Sequence, residues 1–151
     1  VSRHPSGLLD TNTVILLPRL ADPALLPERP VISAITLAEL SVGPLVASDP
    51  AERAARLAHL QQAEADFDPL PFDADAARAF GQVAASLRRS GRKTTRRSGR
   101  KTTARAYDAM IAAVALANDL PLYTCNPDDF AGIEGLTVVG VPLPDRPAGG
   151  A

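Results

Sequence analysis

The chain has a single cysteine, Cys125, among its 151 residues, so no disulfide can form within it. One thiol fits a reducing compartment, and a cytoplasmic location is the expectation. The sequence lacks the run of roughly 18 apolar residues that a membrane span needs, so no membrane partner is expected. Its first residues, VSRHPSGLLD, lack the charged stretch, apolar block and cleavage site of a secretion signal. Histidine is scarce as well. His4 and His59 stand alone, with neither zinc-site spacing nor the partners of a catalytic triad. The only two lysines, Lys93 and Lys101, both lie inside one short repeat.

That repeat is the most unusual feature present. The octet RRSGRKTT occurs twice in succession over residues 88–103, without a mismatch. It holds 8 of the 16 Lys and Arg residues and no acid, whereas the rest of the chain carries 8 basic and 17 acidic side chains. Such asymmetry points to an anionic partner for one surface and a group of carboxylates elsewhere. With 46% apolar residues and a net charge of −1, the chain is long enough for one domain with a real core.

Hydrophobic patterning gives the organisation. GLLD (7–10), PVISAI (30–35), LPLYTC (120–125) and LTVVGV (136–141) read as strands. TNTVILL, after the first strand, is compatible with a helix. TLAELSVGP reads as a short helix closed by Gly43 and Pro44, and residues 50–65 as an amphipathic helix with Pro50 at its start. Residues 73–89 form a helix opened by Asp73, with Gly91 as its stop, and residues 104–118 the most apolar helix. Strands separated by helices predict an α/β layer fold with a mainly parallel central sheet flanked by helices. Residues 1–141 are expected to form the domain, with 88–103 as a basic loop and 142–151 as a frayed tail.

Four acids fall at comparable places. Asp10 ends the first strand, Glu39 sits in the helix after the second, Asp108 lies in the first turn of the apolar helix, and Asp129 follows the LPLYTC strand. Taken singly, each has an ordinary explanation. Asp10 reads as a helix cap, Glu39 as a solvated helix residue, Asp108 as a favourable first-turn acid and Asp129 as a turn residue beside Pro127. Ligands in such sheets bind beyond the carboxyl ends of the strands, which is where all four can converge. Carboxylates so placed repel one another unless a cation joins them. Oxygen donors without clustered His or Cys favour Mg²⁺ or Mn²⁺ over zinc. A metal of that kind supports phosphodiester hydrolysis, and the basic run would gather phosphates irrespective of base sequence.

LLDTN, SAITLAEL, YDAMIAAVAL and TCNPDDF resemble, in order, the four acidic motifs of PIN-domain ribonucleases. The apolar flanks and chain length are most similar to the VapC-type toxins of bacterial toxin–antitoxin pairs. The resemblance runs from about residue 7 to 141. It implies a three-layer PIN-like fold and a Mg²⁺- or Mn²⁺-dependent endoribonuclease acting on RNA. It further implies inhibition by a small VapB-like antitoxin, and a homodimer. It carries over Asp10, Glu39, Asp108 and Asp129 as catalytic and metal-binding residues, with Asp128 as the alternative for the fourth. Thr11, Asn12, Ser33 and Asn126 fall where the family's polar residues orient the carboxylates or the scissile phosphate. Arg105, three positions before Asp108, is a candidate phosphate contact. Tyr107 reads as helix packing and Cys125 as a buried strand residue.

Other functions are weaker. An aspartate-nucleophile phosphatase would want a second acid where Asn12 stands, and a lysine late in the chain. A phosphorylation-receiver domain fails on similar grounds. A non-catalytic metal- or RNA-binding module needs fewer acids than the four present.

The second octet departs from the family pattern, in which one such connection suffices. Doubling a flexible loop costs only about 0.6 kcal/mol. Deleting residues 88–95 is therefore expected to leave metal-dependent RNA cleavage largely intact. A folded deletion variant that no longer cleaves would overturn this.

Overall fold

The computed structural model describes residues 4–20, 22–90 and 102–143. Strands β1 (Ser6–Leu9), β2 (Arg29–Val31), β3 (Leu122–Thr124) and β4 (Val138–Gly140) form one parallel sheet in the order β2-β1-β3-β4. In register, Leu8 of β1 lies opposite Val31 on one side and Leu122 on the other. Among the described residues, five α-helices connect and cover these strands: α1 (Thr11–Leu16), α2 (Ala34–Val42), α3 (Pro50–Asp66), α4 (Ala74–Arg89) and α5 (Thr102–Ala117).

Side-chain alternation along the strands makes the three layers. Leu8 and Leu122 point to one face, where Ala76 and Val83 of α4 and Ile111 and Val114 of α5 pack on them. Leu9 and Tyr123 point to the other, against Val14, Leu40 and Ala63 of α1, α2 and α3. Both faces of the sheet are thus covered, which explains why its strands read as apolar runs rather than as alternating ones. No helix among the described residues is long and apolar enough to cross a membrane.

Local chemistry fixes the helix ends. Asp49 caps α3 by accepting from Glu52 N at 2.8 Å, with Pro50 in the first turn, and Asp73 caps α4 by accepting from Ala76 N at 3.0 Å. α5 closes with Asp119 at φ 52°, while Leu120 N donates to Ala115 O and Asp119 N to Leu116 O. That paired pattern satisfies the last carbonyls of the helix.

Three expectations are corrected. PVISAI does not stay extended to residue 35. β2 ends at Val31 and α2 starts at Ala34, because Ser33 Oγ accepts from Thr36 N at 3.2 Å and nucleates the turn. Asp108 is not in the first turn of its helix, since α5 already begins at Thr102. The basic segment 88–103 is not wholly a loop either. Arg88 and Arg89 form the last turn of α4, where cations suit the helix dipole, and Arg89 pairs with Glu134 at 2.8 Å. Gly91, the rest of the octets up to residue 101, and the tail from 144 lie outside the described residues.

Removing either octet leaves the same sequence: Arg-Arg-Ser still follows Leu87 and Thr-Thr still precedes Ala104. Both helix junctions therefore keep their chemistry. The shortened connection falls within the two to five residues, roughly, that join paired antiparallel helices.

Gly7 marks a close approach in the sheet. A Cβ there would stand 2.5 Å from Cε1 of Tyr123, whose ring is buried. Gly7→Ala is expected to lower stability by about 1–3 kcal/mol. Thermal denaturation measures it, and an unchanged midpoint would refute the contact.

Candidate active site

The strand order places a switch point between β1 and β3: the chain leaves β1 toward β2 on one side and later inserts β3 on the other. Asp10 stands at the carboxyl end of β1 at this point. Its backbone is extended and its side chain caps α1. Asp10 N donates to Tyr123 O at 3.2 Å, which stitches it to β3.

Asp10 is 5% exposed. Burying it is tolerable because hydrogen bonds replace the lost water. Oδ1 accepts from Thr13 N at 3.0 Å and from the Thr13 hydroxyl. Oδ2 accepts from Thr124 Oγ1 at 2.6 Å. Thr124 Oγ1 in turn accepts from Asn126 N at 2.9 Å, and Asn126 Nδ2 donates to Asp129 Oδ2 at 2.9 Å. A continuous chain of hydrogen bonds therefore runs from Asp10 to Asp129. Asp129 is half-buried and Asp128 exposed.

Glu39 reaches the same region from α2. Its Oε1 accepts from Thr11 Oγ1 at 2.7 Å, and Thr11 Oγ1 also lies 3.0 Å from Thr36 Oγ1. Thr11, the residue after Asp10, thus binds α1 to α2. Ser33 is fully buried and caps α2, so it sets the direction from which Glu39 arrives. Asn12 is exposed in the first turn of α1. Asp108 and Arg105 are half-buried on α5, which packs against α2.

The structure links Asp10 to Asp129 and ties Glu39 to the residue beside Asp10. It does not close the four acids into one cage. Among the described residues, no three His, Cys, Asp or Glu side chains form a group that could hold a metal ion. The donor chemistry, carboxylates without nitrogen or sulfur ligands, still suits a hard divalent cation. A separate cavity of about 320 Å³ between α1 and α3 is lined by Val14, Leu17, His59, Ala63 and Phe67. None of the four acids borders it.

Sequence reasoning missed Thr13 and Thr124. The cap spacing from Asp10 to Thr13 is readable as a three-residue interval. Thr124 opens the TCNPDDF motif, but its role follows only from β3 lying beside β1.

With this geometry in place, comparison with known proteins is direct. The PIN domain family model matches residues 8–136. The chain belongs to the PIN-domain family. It is 40% identical to Ribonuclease VapC5 of Mycobacterium tuberculosis (strain ATCC 25618 / H37Rv), covering 90% of this chain and 93% of that one. It is 29% identical to Ribonuclease VapC of Rickettsia bellii (strain RML369-C), covering 78% and 81% respectively. Among solved structures, the VapBC-5 toxin–antitoxin complex from Mycobacterium tuberculosis matches with a TM-score of 0.73 and 38% identity over 91% of this chain and 99% of that one. DNA-bound VapBC from Salmonella typhimurium matches with a TM-score of 0.64 and 28% identity over 88% and 96%. The PIN-like α/β architecture expected from the sequence is therefore the one adopted.

Cys125 borders the site of this PIN domain. Its N–H donates to Thr13 Oγ1 at 3.2 Å and its Sγ lies 3.7 Å from the same oxygen. Burial chiefly pushes its thiol pKa up; the Thr13 hydrogen bond opposes this and the Asp10 charge adds to it. The thiol therefore stays protonated at neutral pH, and its thiolate gains population only above the pH at which a free cysteine ionises. Alkylation by iodoacetamide at pH 8 is expected to be slower than for free cysteine and to accelerate at higher pH. A rate matching free cysteine at pH 8 would contradict the shift.

Proposed function

We propose that this PIN domain is a metal-dependent endoribonuclease toxin neutralised by a VapB-like antitoxin, with Asp10, Glu39, Asp108 and Asp129 as its catalytic and metal-binding set. The observation that carries the reading is a buried, hydrogen-bonded carboxylate at the sheet's switch point, in a chain 40% identical to a VapC ribonuclease. The proposed cofactor is Mg²⁺ or Mn²⁺. Mg²⁺ keeps several waters and takes one or two carboxylates together with substrate phosphates. It therefore does not require three protein carboxylates at contact spacing. In this reading Asp10, Glu39, Asp108 and Asp129 are the residues that would hold it. When bound, the cation supplies a lowered pKa for a bound water and neutralises charge on the phosphoryl oxygens.

The remaining work belongs to the chain. Thr11 holds Glu39 by its Oε1, and Ser33 aims the helix that carries it. Asn126 holds Asp129, which favours Asp129 over the exposed Asp128 as the fourth acid. Asn12, exposed beside Asp10, and Arg105, one turn before Asp108, are assigned to positioning the scissile phosphate. Residues 1–141 make up the nuclease domain. The substrate is RNA, the protein acts in the cytoplasm, and it pairs as a homodimer. The antitoxin is assigned to α3, the end of α2 and the segment between them, where Val42, Leu45, Val46 and Leu57 leave apolar surface exposed and relatives are solved as VapBC complexes.

Incubating total bacterial RNA with the purified chain tests the reading. Discrete fragments are expected with Mg²⁺ or Mn²⁺ and none with EDTA. Folded Asp108→Asn should lose about a hundredfold or more of the rate, and antitoxin should suppress cleavage by the parent. A folded, metal-loaded chain that binds RNA without turnover would instead be a binding module.

A further inference from the structure

We propose that Thr13 and Thr124 are positioning residues, a pair of buried hydroxyls that fix the Asp10 carboxylate so that one lone pair on Oδ2 remains for an incoming divalent cation. The inference rests on the nuclease reading above and adds residues that none of the four acidic motifs supplies as ligands.

An ionised carboxylate offers about four acceptor directions. Thr13 uses both on Oδ1, through its N–H and its hydroxyl. Thr124 uses one on Oδ2. A single direction is left, and it lies on Oδ2.

Each hydroxyl is locked in the donating sense. Thr13 Oγ1 accepts from Cys125 N, and Thr124 Oγ1 accepts from Asn126 N. Those incoming N–H groups occupy the oxygens' acceptor sides. The Thr124 proton is left for Asp10 Oδ2, and the Thr13 proton has two acceptors in reach, Asp10 Oδ1 and, at 3.7 Å, Cys125 Sγ, of which the carboxylate is the stronger. Both threonines are fully buried, so water offers no alternative partner. Their branched side chains are stiff about χ1, which holds the hydroxyls in place. A metal arriving at Asp10 thus meets an acid already oriented, and the ordering cost is met in folding. Thr124 also passes the constraint to Asn126 and hence to Asp129. Neither hydroxyl is exposed to a substrate, so both act through Asp10.

The test measures Mn²⁺ affinity of the full chain without RNA, by electron paramagnetic resonance titration of free Mn²⁺. The variants are Thr13→Val and Thr124→Val, which keep the shape, and Thr13→Ser and Thr124→Ser, which keep the hydroxyl. Thermal melts accompany each, and RNA cleavage is followed against Mn²⁺ concentration. The valine variants should bind Mn²⁺ about ten- to a hundredfold more weakly, the usual cost of losing a partner that orients a metal ligand. Saturating Mn²⁺ should restore part of their cleavage, and the serine variants should bind like the parent. Folded valine variants with parental Mn²⁺ affinity, beside a parent that cleaves RNA, would overturn this assignment alone. A parent that binds no Mn²⁺ and cleaves no RNA would overturn the nuclease reading and the assignment with it. Should a valine variant not melt cooperatively, its serine counterpart decides: weakened Mn²⁺ binding in a folded serine variant overturns the proposal.

Discussion

Everything at the carboxyl edge of the sheet depends on keeping one charged group, Asp10, out of water. Its carboxylate is nearly buried, and three hydrogen bonds from Thr13 and Thr124 stand in for solvent. The two Thr13 bonds are local to the start of α1, but the Thr124 bond exists only if β1 and β3 are neighbours, since Thr124 ends β3. The same constraint reaches outward: Thr13 holds Cys125 N, Thr124 holds Asn126 N, and Asn126 holds Asp129. A buried polar network of this sort rigidifies when satisfied and is expensive when broken. The fold therefore supplies an acid whose direction is decided before any ligand arrives.

The core explains why that arrangement holds. Two apolar layers press on the sheet from opposite faces, one built on α4 and α5, the other on α1, α2 and α3. Short strands of three or four residues would be marginal alone. Here they are clamped by helices that cap themselves with Asp10, Ser33, Asp49 and Asp73. Two of those caps do double duty. Asp10 starts α1 and carries the site's charge, and Ser33 starts α2 and so directs Glu39. The ordinary reading of Asp10 as a helix cap is thus correct as far as it goes. The cap uses only part of the carboxylate's accepting capacity.

Much of this is legible in the sequence because it is written in local signals. Pro50 after Asp49, Asp73 before an alanine-rich run, and apolar blocks flanked by turns mark elements whose boundaries fall within a few residues of the observed ones. The exceptions share a cause. PVISAI has the β-branched content of a strand throughout, but the Ser33 cap and its pairing with Leu70 end the strand early. Arg88 and Arg89 fall both in the helix read over 73–89 and in the basic loop read over 88–103, and the helix reading holds because a helix already under way continues through them. Thr124 opens the TCNPDDF motif, but its role is not legible there. It is one of many threonines until the strand order puts it against an acid 114 positions earlier. Acids ending strands can be found by pattern, but the groups that orient them come from tertiary neighbours.

The charge distribution follows from the same division of labour. Were arginines to neutralise the acids outright, no cation would be needed there. Half of the basic residues, 8 of 16, are gathered in the octets, and the last two residues of the second octet, Thr102 and Thr103, open α5. From Thr102 to Asp108 is six residues, a rise of about 9 Å along a helix. That is close to the screening length of roughly 8 Å at physiological salt. In the proposed nuclease, the octets' charge would draw a polyanion toward the stretch that precedes Asp108 in the sequence. Attraction of phosphate and binding of a cation make opposite electrostatic demands, and in the proposed nuclease they would fall to different groups: the octets, which carry no acid, and the carboxylates at the sheet's edge.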